Sequence, residues 1–379
     1  LNFLAQQAQA RHQARRMVVL FALAVAGVVA GVNVACTLAF LAFYPGAHLS
    51  AGAPFGVTGL PPLFFLTNTA IVLLFVLGGA LVEWSRLSEG GAAVARMLGA
   101  RELAADPVDA AERRLRNIAQ EMAVAARAPV PRLFLLDDES AINACAVGHD
   151  ARDAAVIVTR GALRRLDRDE LQGVFAHEFA HVLHGDVRLN LTLTAYVYGI
   201  LIVHQFGRAL LGWAHPQRFH PTSGNDPRAL PLALAAAALG VAIMAVGAIG
   251  WLAARLLQAA VSRQREYLAD ATAVRFTRLP DGLGNALRKL AGTQRGRSER
   301  LLGPGTGLLA HAWLVAPGRL AGWLATHPPL AERIRRIFGR SMRAIVEDDA
   351  TRARAAAADL PAKPVPDPRD TPMEFDVRA

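Results

Sequence analysis

Four long apolar stretches constrain this chain more than any other feature of its sequence. They run from about Met17 to Tyr44, Leu63 to Trp84, Leu191 to Ala214 and Ala229 to Ala254. Each is near or above the ~20 residues that carry a helix across a bilayer. Backbone polar groups in lipid must be satisfied within their own segment, so such stretches read as membrane helices. His204 and Arg208 interrupt the third, which leaves a buried hairpin dipping into the membrane as its other reading. The first is too long, and flanked wrongly, for a cleaved signal peptide. With 53% hydrophobic residues and a mean hydropathy of +0.28, the composition is unusual for a water-soluble globule.

Charge orients these segments. Arg11, Arg15 and Arg16 precede the first, and Arg86, Arg96 and Arg101 follow the second. The loop between them, PGAHLSAGAPFGVTGLPP, has no charged residue, whereas Arg255, Arg263 and Arg265 follow the fourth. The positive-inside rule then places both termini in the cytoplasm. The expected organisation is a cytoplasmic N-terminus (1–16), a transmembrane hairpin (17–84), a cytoplasmic segment (85–190), a second hairpin (191–254) and a second cytoplasmic segment (255–345). The Ala-, Pro- and charge-rich stretch 346–379 reads as a disordered tail or a linker. The net charge of +10 comes almost wholly from arginine, Lys289 and Lys363 being the only lysines. No basic run interleaves with aromatics, so the charge reads as membrane-surface preference and coding bias, with no nucleic-acid partner. Cys36 and Cys145 form no CxxC and no disulfide framework.

The segment 85–190 reads as α+β. A helical pattern covers about Asp109–Ala126, and PVPRLFLLDD and DAAVIVTRG are strand-like. Beyond them lies LDRDELQGVFAHEFAHVLHG. Asp167 and Glu170 form a capping box, Gly185 is a natural stop, and a helix of about 17 residues is expected between. That helix carries His177, Glu178 and His181, the pattern H-E-x-x-H. Histidines four apart share a helix face and can hold one metal ion, and a carboxylate beside them can take a proton from water that the metal activates. The motif alone is only moderately specific, since two histidines one turn apart also arise by chance. A metzincin continuation fails, because His184 stands where Gly is required and Val187 where the third His is required.

A third ligand must therefore come from elsewhere. RQREYLADATAV offers Glu266 and Asp270, four apart, as a ligand and a carboxylate that orients a ligating histidine. The alternative is an ordinary polar helix face beside Arg263 and Arg265. If helical, Arg255 to Glu266 rises about 16 Å and His181 to Leu191 about 15 Å, so both sets would stand at similar height above the membrane. LPDG (279–282) lies among arginines, and Asp281 reads as a turn residue.

Four motifs in this order resemble the HtpX-type family of membrane-bound zinc metalloproteases, relatives of the CAAX prenyl proteases, over about residues 90–340. INACAVG (142–148) is similar to that family's N-A-F-A strand, with Cys145 in place of Phe. AAVIVTRGALRRLDRDELQGVFAHEFAHVLHGD matches the metal helix and its approach, REYLAD (265–270) the third-ligand helix, and THPPLAERIRRI (326–337) the C-terminal motif.

The resemblance implies a mainly α membrane protein with about four transmembrane helices and a cytoplasmic α+β zincin-like metalloprotease domain. One Zn²⁺ would be held by His177, His181 and Glu266, with Glu178 as general base and acid and Asp270 orienting a ligand. Asn143 would lie on the strand that aligns the substrate backbone, or else be a turn residue. His327 would stabilise the developing oxyanion, although Thr326-His327-Pro328 is also a helix-start signal. The implied partners are the lipid bilayer and polypeptide substrates, above all misfolded membrane proteins. The implied setting is multi-pass in the bacterial inner membrane, with the active site facing the cytoplasm. A catalytically weak scaffold or chaperone of the same fold is the rival reading, against which the retention of Glu178 argues. A transporter fits poorly, with four spans and a large cytoplasmic metal motif.

Overall fold

The computed structural model describes residues 3–44, 46–50, 52, 56–214, 229–296, 314 and 327–346. The stretch 347–379 and Thr326 lie outside the described residues. Among the described residues, four helices are long and apolar enough to cross a membrane: α1 (Phe3–Phe43), α2 (Phe64–Leu87), α7 (Asp186–Trp213) and α8 (Ala229–Thr277). The third apolar stretch is a continuous helix despite its polar residues. His204 is accommodated because its Nδ1 lies 2.9 Å from the Met244 carbonyl of α8.

Small residues let these helices approach closely, as is common between helices in lipid. A Cβ on Gly199 of α7 would sit 2.2 Å from the Val76 carbonyl of α2, and one on Gly207 would sit 2.4 Å from the Met244 nitrogen of α8. Val28, Val32, Val72, Val76, Ile200 and Ile243 fill the centre of the bundle.

The fourth stretch departs most from expectation. It does not end near Ala254: α8 continues for 49 residues without interruption. At 1.5 Å per residue it is about 74 Å long, more than twice the ~30 Å of a hydrocarbon core. Its apolar first half crosses the bundle, and its second half projects out of it carrying Glu266 and Asp270.

The remaining elements form one compact layer system. A four-stranded sheet comprises β1 (Arg101–Glu102), β2 (Arg132–Leu136), β3 (Ala144–Val147) and β4 (Ala155–Thr159), in spatial order β1-β2-β4-β3. β2 and β4 run parallel, whereas β1 and β3 are antiparallel edge strands. One face packs Leu133, Leu135, Val156 and Val158 against α4 (Ala110–Ala126) and α6 (Arg168–His184). The other packs Phe134, Cys145 and Ile157 against α3 (Gly91–Met97), Leu87 of α2 and Leu191 of α7. Burial on both faces explains why RLFLL and AVIVT are continuous apolar runs with no polar alternation. The sheet is thereby seated on the ends of the membrane helices.

α6 forms as its caps dictate. Asp167 accepts from the Glu170 N–H while the Glu170 side chain accepts from the Asp167 N–H, and Gly185 closes the helix at φ 72°. Helices α5 (Arg160–Arg165), α9 (Pro280–Gly296) and α10 (Leu330–Phe338) complete the shell. The approach of α9 to α6 requires glycine on both sides. A Cβ on Gly173 would meet the Leu283 nitrogen at 2.3 Å, and one on Gly282 the Asp169 carbonyl at 2.5 Å. LPDG is therefore a packing element in the first turn of α9, with Asp281 exposed and apart from the histidines.

Candidate metal centre

α6 is buried over most of its length, and within it His177 faces Glu266 and Asp270 of α8 and Arg333 of α10, while His181 faces Glu266. The structure brings His177, His181 and Glu266 together, with one potential ligand atom from each lying within 4.8 Å of the others. His177 Nε2 is 3.6 Å from Glu266 Oε2, and His181 Nε2 is 3.5 Å from Glu266 Oε1. Two ligands bound at about 2.0–2.1 Å to a tetrahedral centre stand about 3.4 Å apart. The spacing therefore fits one small tetrahedral cation.

Donor chemistry agrees with the spacing. His177 Nδ1 is 3.0 Å from Asp270 Oδ1, and His181 Nδ1 is 2.8 Å from Asp186 Oδ2. A carboxylate at Nδ1 holds the proton there and leaves the Nε2 lone pair for a metal. Both Nε2 atoms face Glu266. His184 lies apart from this cluster, exposed, with Nε2 3.5 Å from Thr272 Oγ1.

Glu178 is buried beside the three. Burial pushes its carboxyl above the usual carboxylate range and Glu266 adds to the rise, against the pull of His177, His181 and His327. A carboxylate moved in that direction is better matched to accepting a proton near neutral pH.

His327 Nδ1 lies 3.0 Å from Glu266 Oε2, without the angle of a hydrogen bond, and neither of its ring nitrogens has a hydrogen-bond partner among the described residues. Thr326 lies outside the described residues, and α10 begins at Leu330, just past His327 and Pro328, with Pro329 at its N-cap. Asn143 immediately precedes β3. Its backbone carbonyl accepts from Thr159 N–H of β4, and its side-chain oxygen accepts from Ala144 N–H. Leu314 donates its N–H to the Ala144 carbonyl at 2.7 Å, on the edge of β3 that faces away from β4.

Arg333 is absent from the residues that the sequence singles out, and it is central. It is 0% exposed. Its Nε and Nη2 bind Asp270 at 2.9 and 2.7 Å, Nη1 is 3.1 Å from Glu266 Oε2, and Nη2 lies 3.4–3.5 Å from both ring nitrogens of His177. One guanidinium thus holds both Asp270, the carboxylate at His177 Nδ1, and Glu266, the carboxylate of the cluster. The sequence does carry a signal for it: Arg333 stands within the apolar stripe Leu330, Ile334, Ile337, where a helix that faces a core ordinarily places a hydrophobe.

Removing Arg333 should leave two buried carboxylates uncompensated, at a cost of about 3–5 kcal/mol. We expect Arg333→Ala to lower the melting temperature more in chelator-treated protein than in metal-loaded protein, because a bound cation replaces part of the lost charge. Equal melting of variant and wild type after chelation would refute this account.

A family model, Peptidase family M48, matches residues 109–341. The chain belongs to peptidase family M48. Similar proteins include a "Protease HtpX homolog" of Ligilactobacillus salivarius, 37% identical over 58% of this chain and 71% of the relative. Another, of Dictyoglomus thermophilum, is 31% identical over 70% of this chain and 87% of the relative. A third, of Streptococcus equi subsp. equi, is 32% identical over 68% of this chain and 82% of the relative. M48 peptidases are metal-dependent, and the His177–His181–Glu266 cluster lies inside the matched region. The protein is thus an HtpX-like metallopeptidase with membrane helices, acting on peptide substrates and bearing on a lipid bilayer.

Proposed function

We propose that this M48 member is a zinc metalloendopeptidase of the bacterial inner membrane, working at the cytoplasmic face on misfolded membrane proteins. The observation that carries the zinc reading is the convergence of two Nε2 atoms and one carboxylate at tetrahedral spacing, with Glu178 beside them. In this reading His177, His181 and Glu266 are the ligands, and a position remains open for the reacting groups. Zinc held there would supply Lewis acidity, lowering the pKa of a water toward ~7 and polarising the scissile carbonyl.

The chain's own residues do the rest. Glu178 takes the proton from the attacking water and passes it to the leaving amine. His327, beside Glu266, donates to the oxygen on which charge develops. Asp270 and Arg333 hold His177 and Glu266 in place. β3 is an edge strand whose outer Ala144 carbonyl is met by the Leu314 N–H; an extended peptide adds as a strand there by taking the place of Leu314, and Asn143 anchors the start of β3 to β4. The membrane bundle beneath the sheet keeps this machinery close to the bilayer, which supports membrane proteins as substrates. The test is casein cleavage by the protein in detergent, with zinc measured before chelation, after it and after zinc is restored. Cleavage that persists in zinc-free protein would defeat the reading.

The same proposal places the 45–62 loop on the far side of the membrane. In a variant lacking Cys36 and Cys145, a cysteine at position 52 should react with an impermeant maleimide in spheroplasts, and one at position 152 should not. The reverse pattern would invert the topology.

A further inference from the structure

The metal-site helix and the first membrane helix after it meet at a single residue pair. Gly185 ends α6, and Asp186 begins α7. Asp186 is 1% exposed, and its two oxygens serve different elements. Oδ2 lies 2.8 Å from His181 Nδ1, and Oδ1 pairs with Nη1 of Arg265. Arg265 stands on α8 directly before Glu266. One carboxylate therefore joins a histidine of α6 to both helices of the second hairpin.

This contact could not exist on an unbroken helix. Residues five apart on an α-helix point about 140° away from each other, at about 100° per residue. Gly185, at φ 72°, turns the chain so that Asp186 comes back to the face of His181. The left-handed conformation costs glycine little and other residues more. Asp186 stands outside H-E-x-x-H, and the relation parallels that of Asp270 to His177, which comes from α8 instead.

We propose that Asp186 is a positioning residue of the metal centre. It fixes the tautomer and ring orientation of His181, and Arg265 holds Asp186 in register, so that packing of α7 against α8 sets the ligand geometry. The inference rests on the reading of His181 as a ligand. When Asp186 is lost, the His181 proton is free to move to Nε2 and the ring to rotate. Carboxylates in this position typically contribute 10–100-fold in metal affinity.

The test uses the full chain in detergent and measures zinc affinity by competition with a chromophoric chelator, alongside the melting temperature. Asp186→Ala alone strands Arg265, so two other variants carry the decision. Asp186→Asn keeps the shape and a neutral acceptor, and Asp186→Ala combined with Arg265→Met removes the buried ion pair whole. The double variant should melt close to wild type yet bind zinc 10–100-fold more weakly. Asp186→Asn should fall between the double variant and wild type. His181→Ala is measured in the same titration. If it loses zinc while the double variant and Asp186→Asn both stay within twofold of wild type, the positioning role is overturned and the ligand reading stands. If His181→Ala itself binds zinc like wild type, the ligand reading fails and this inference falls with it.

Discussion

Glu178→Gln is expected to abolish peptide hydrolysis while leaving zinc content and fold at wild-type levels. Glu178 lies outside the His177–His181–Glu266 cluster, so nothing in the ligand set changes when its charge is removed. Burial already disfavours its ionised form, and a glutamine of the same shape fills the same space without that penalty. What disappears, on the proposed mechanism, is the carboxylate that takes a proton from the attacking water. General acid–base catalysis contributes about 10²–10⁴-fold, so residual turnover should fall to about one per cent or less. The measurement is casein or peptide cleavage by metal-loaded variant and wild type in the same detergent. Activity above that level at full zinc occupancy would count against Glu178 as the base, and loss of zinc would instead mean that it helps to hold the metal.

Glu266→Ala should have the other large effect, lowering zinc occupancy and activity together. Two histidines alone hold zinc weakly, and hydrolysis calls for three protein ligands with one position open. Glu266 is the carboxylate that approaches both Nε2 atoms, at 3.5 and 3.6 Å. Its loss also strips Arg333 of one of its two carboxylate partners. Asp281→Ala should leave zinc and activity near wild type, since Asp281 is exposed in the first turn of α9. His184→Ala should cost less than Glu266→Ala, because its nearest polar contact is Thr272 and it takes no part in the cluster. Metal analysis of the three purified variants decides the matter. Full zinc in Glu266→Ala, with loss in either of the others, would move the third ligand elsewhere.

Elements that local rules govern are legible in the sequence. The capping box at Asp167 and the stop at Gly185 delimit α6 as expected, because each depends on groups within one turn of the backbone. Apolar runs mark the strands around Leu133 and Val156, and length marks the membrane helices. Where the pattern breaks, the reason is identifiable. The end of the fourth apolar stretch near Ala254 looks like the end of a helix, yet only hydropathy changes there. The helical hydrogen bonding continues to Thr277, since arginine, glutamine and alanine are good helix formers.

The sequence by itself determined which side chains could do the chemistry and on what local elements they ride: two histidines one turn apart on a capped helix, a glutamate between them, and a second acidic pair four apart. Tertiary structure alone decided how these meet. Arg333, 67 residues beyond Glu266 in sequence, supplies the cation that lets Glu266 and Asp270 be buried side by side. Asp186 reaches His181 only because the chain turns at Gly185, and it is held there only because α8 runs unbroken from the membrane to the site. The physical reason is that buried charge must be balanced in space. Charge balance operates between neighbours in three dimensions, and spacing along a chain does not encode those neighbours.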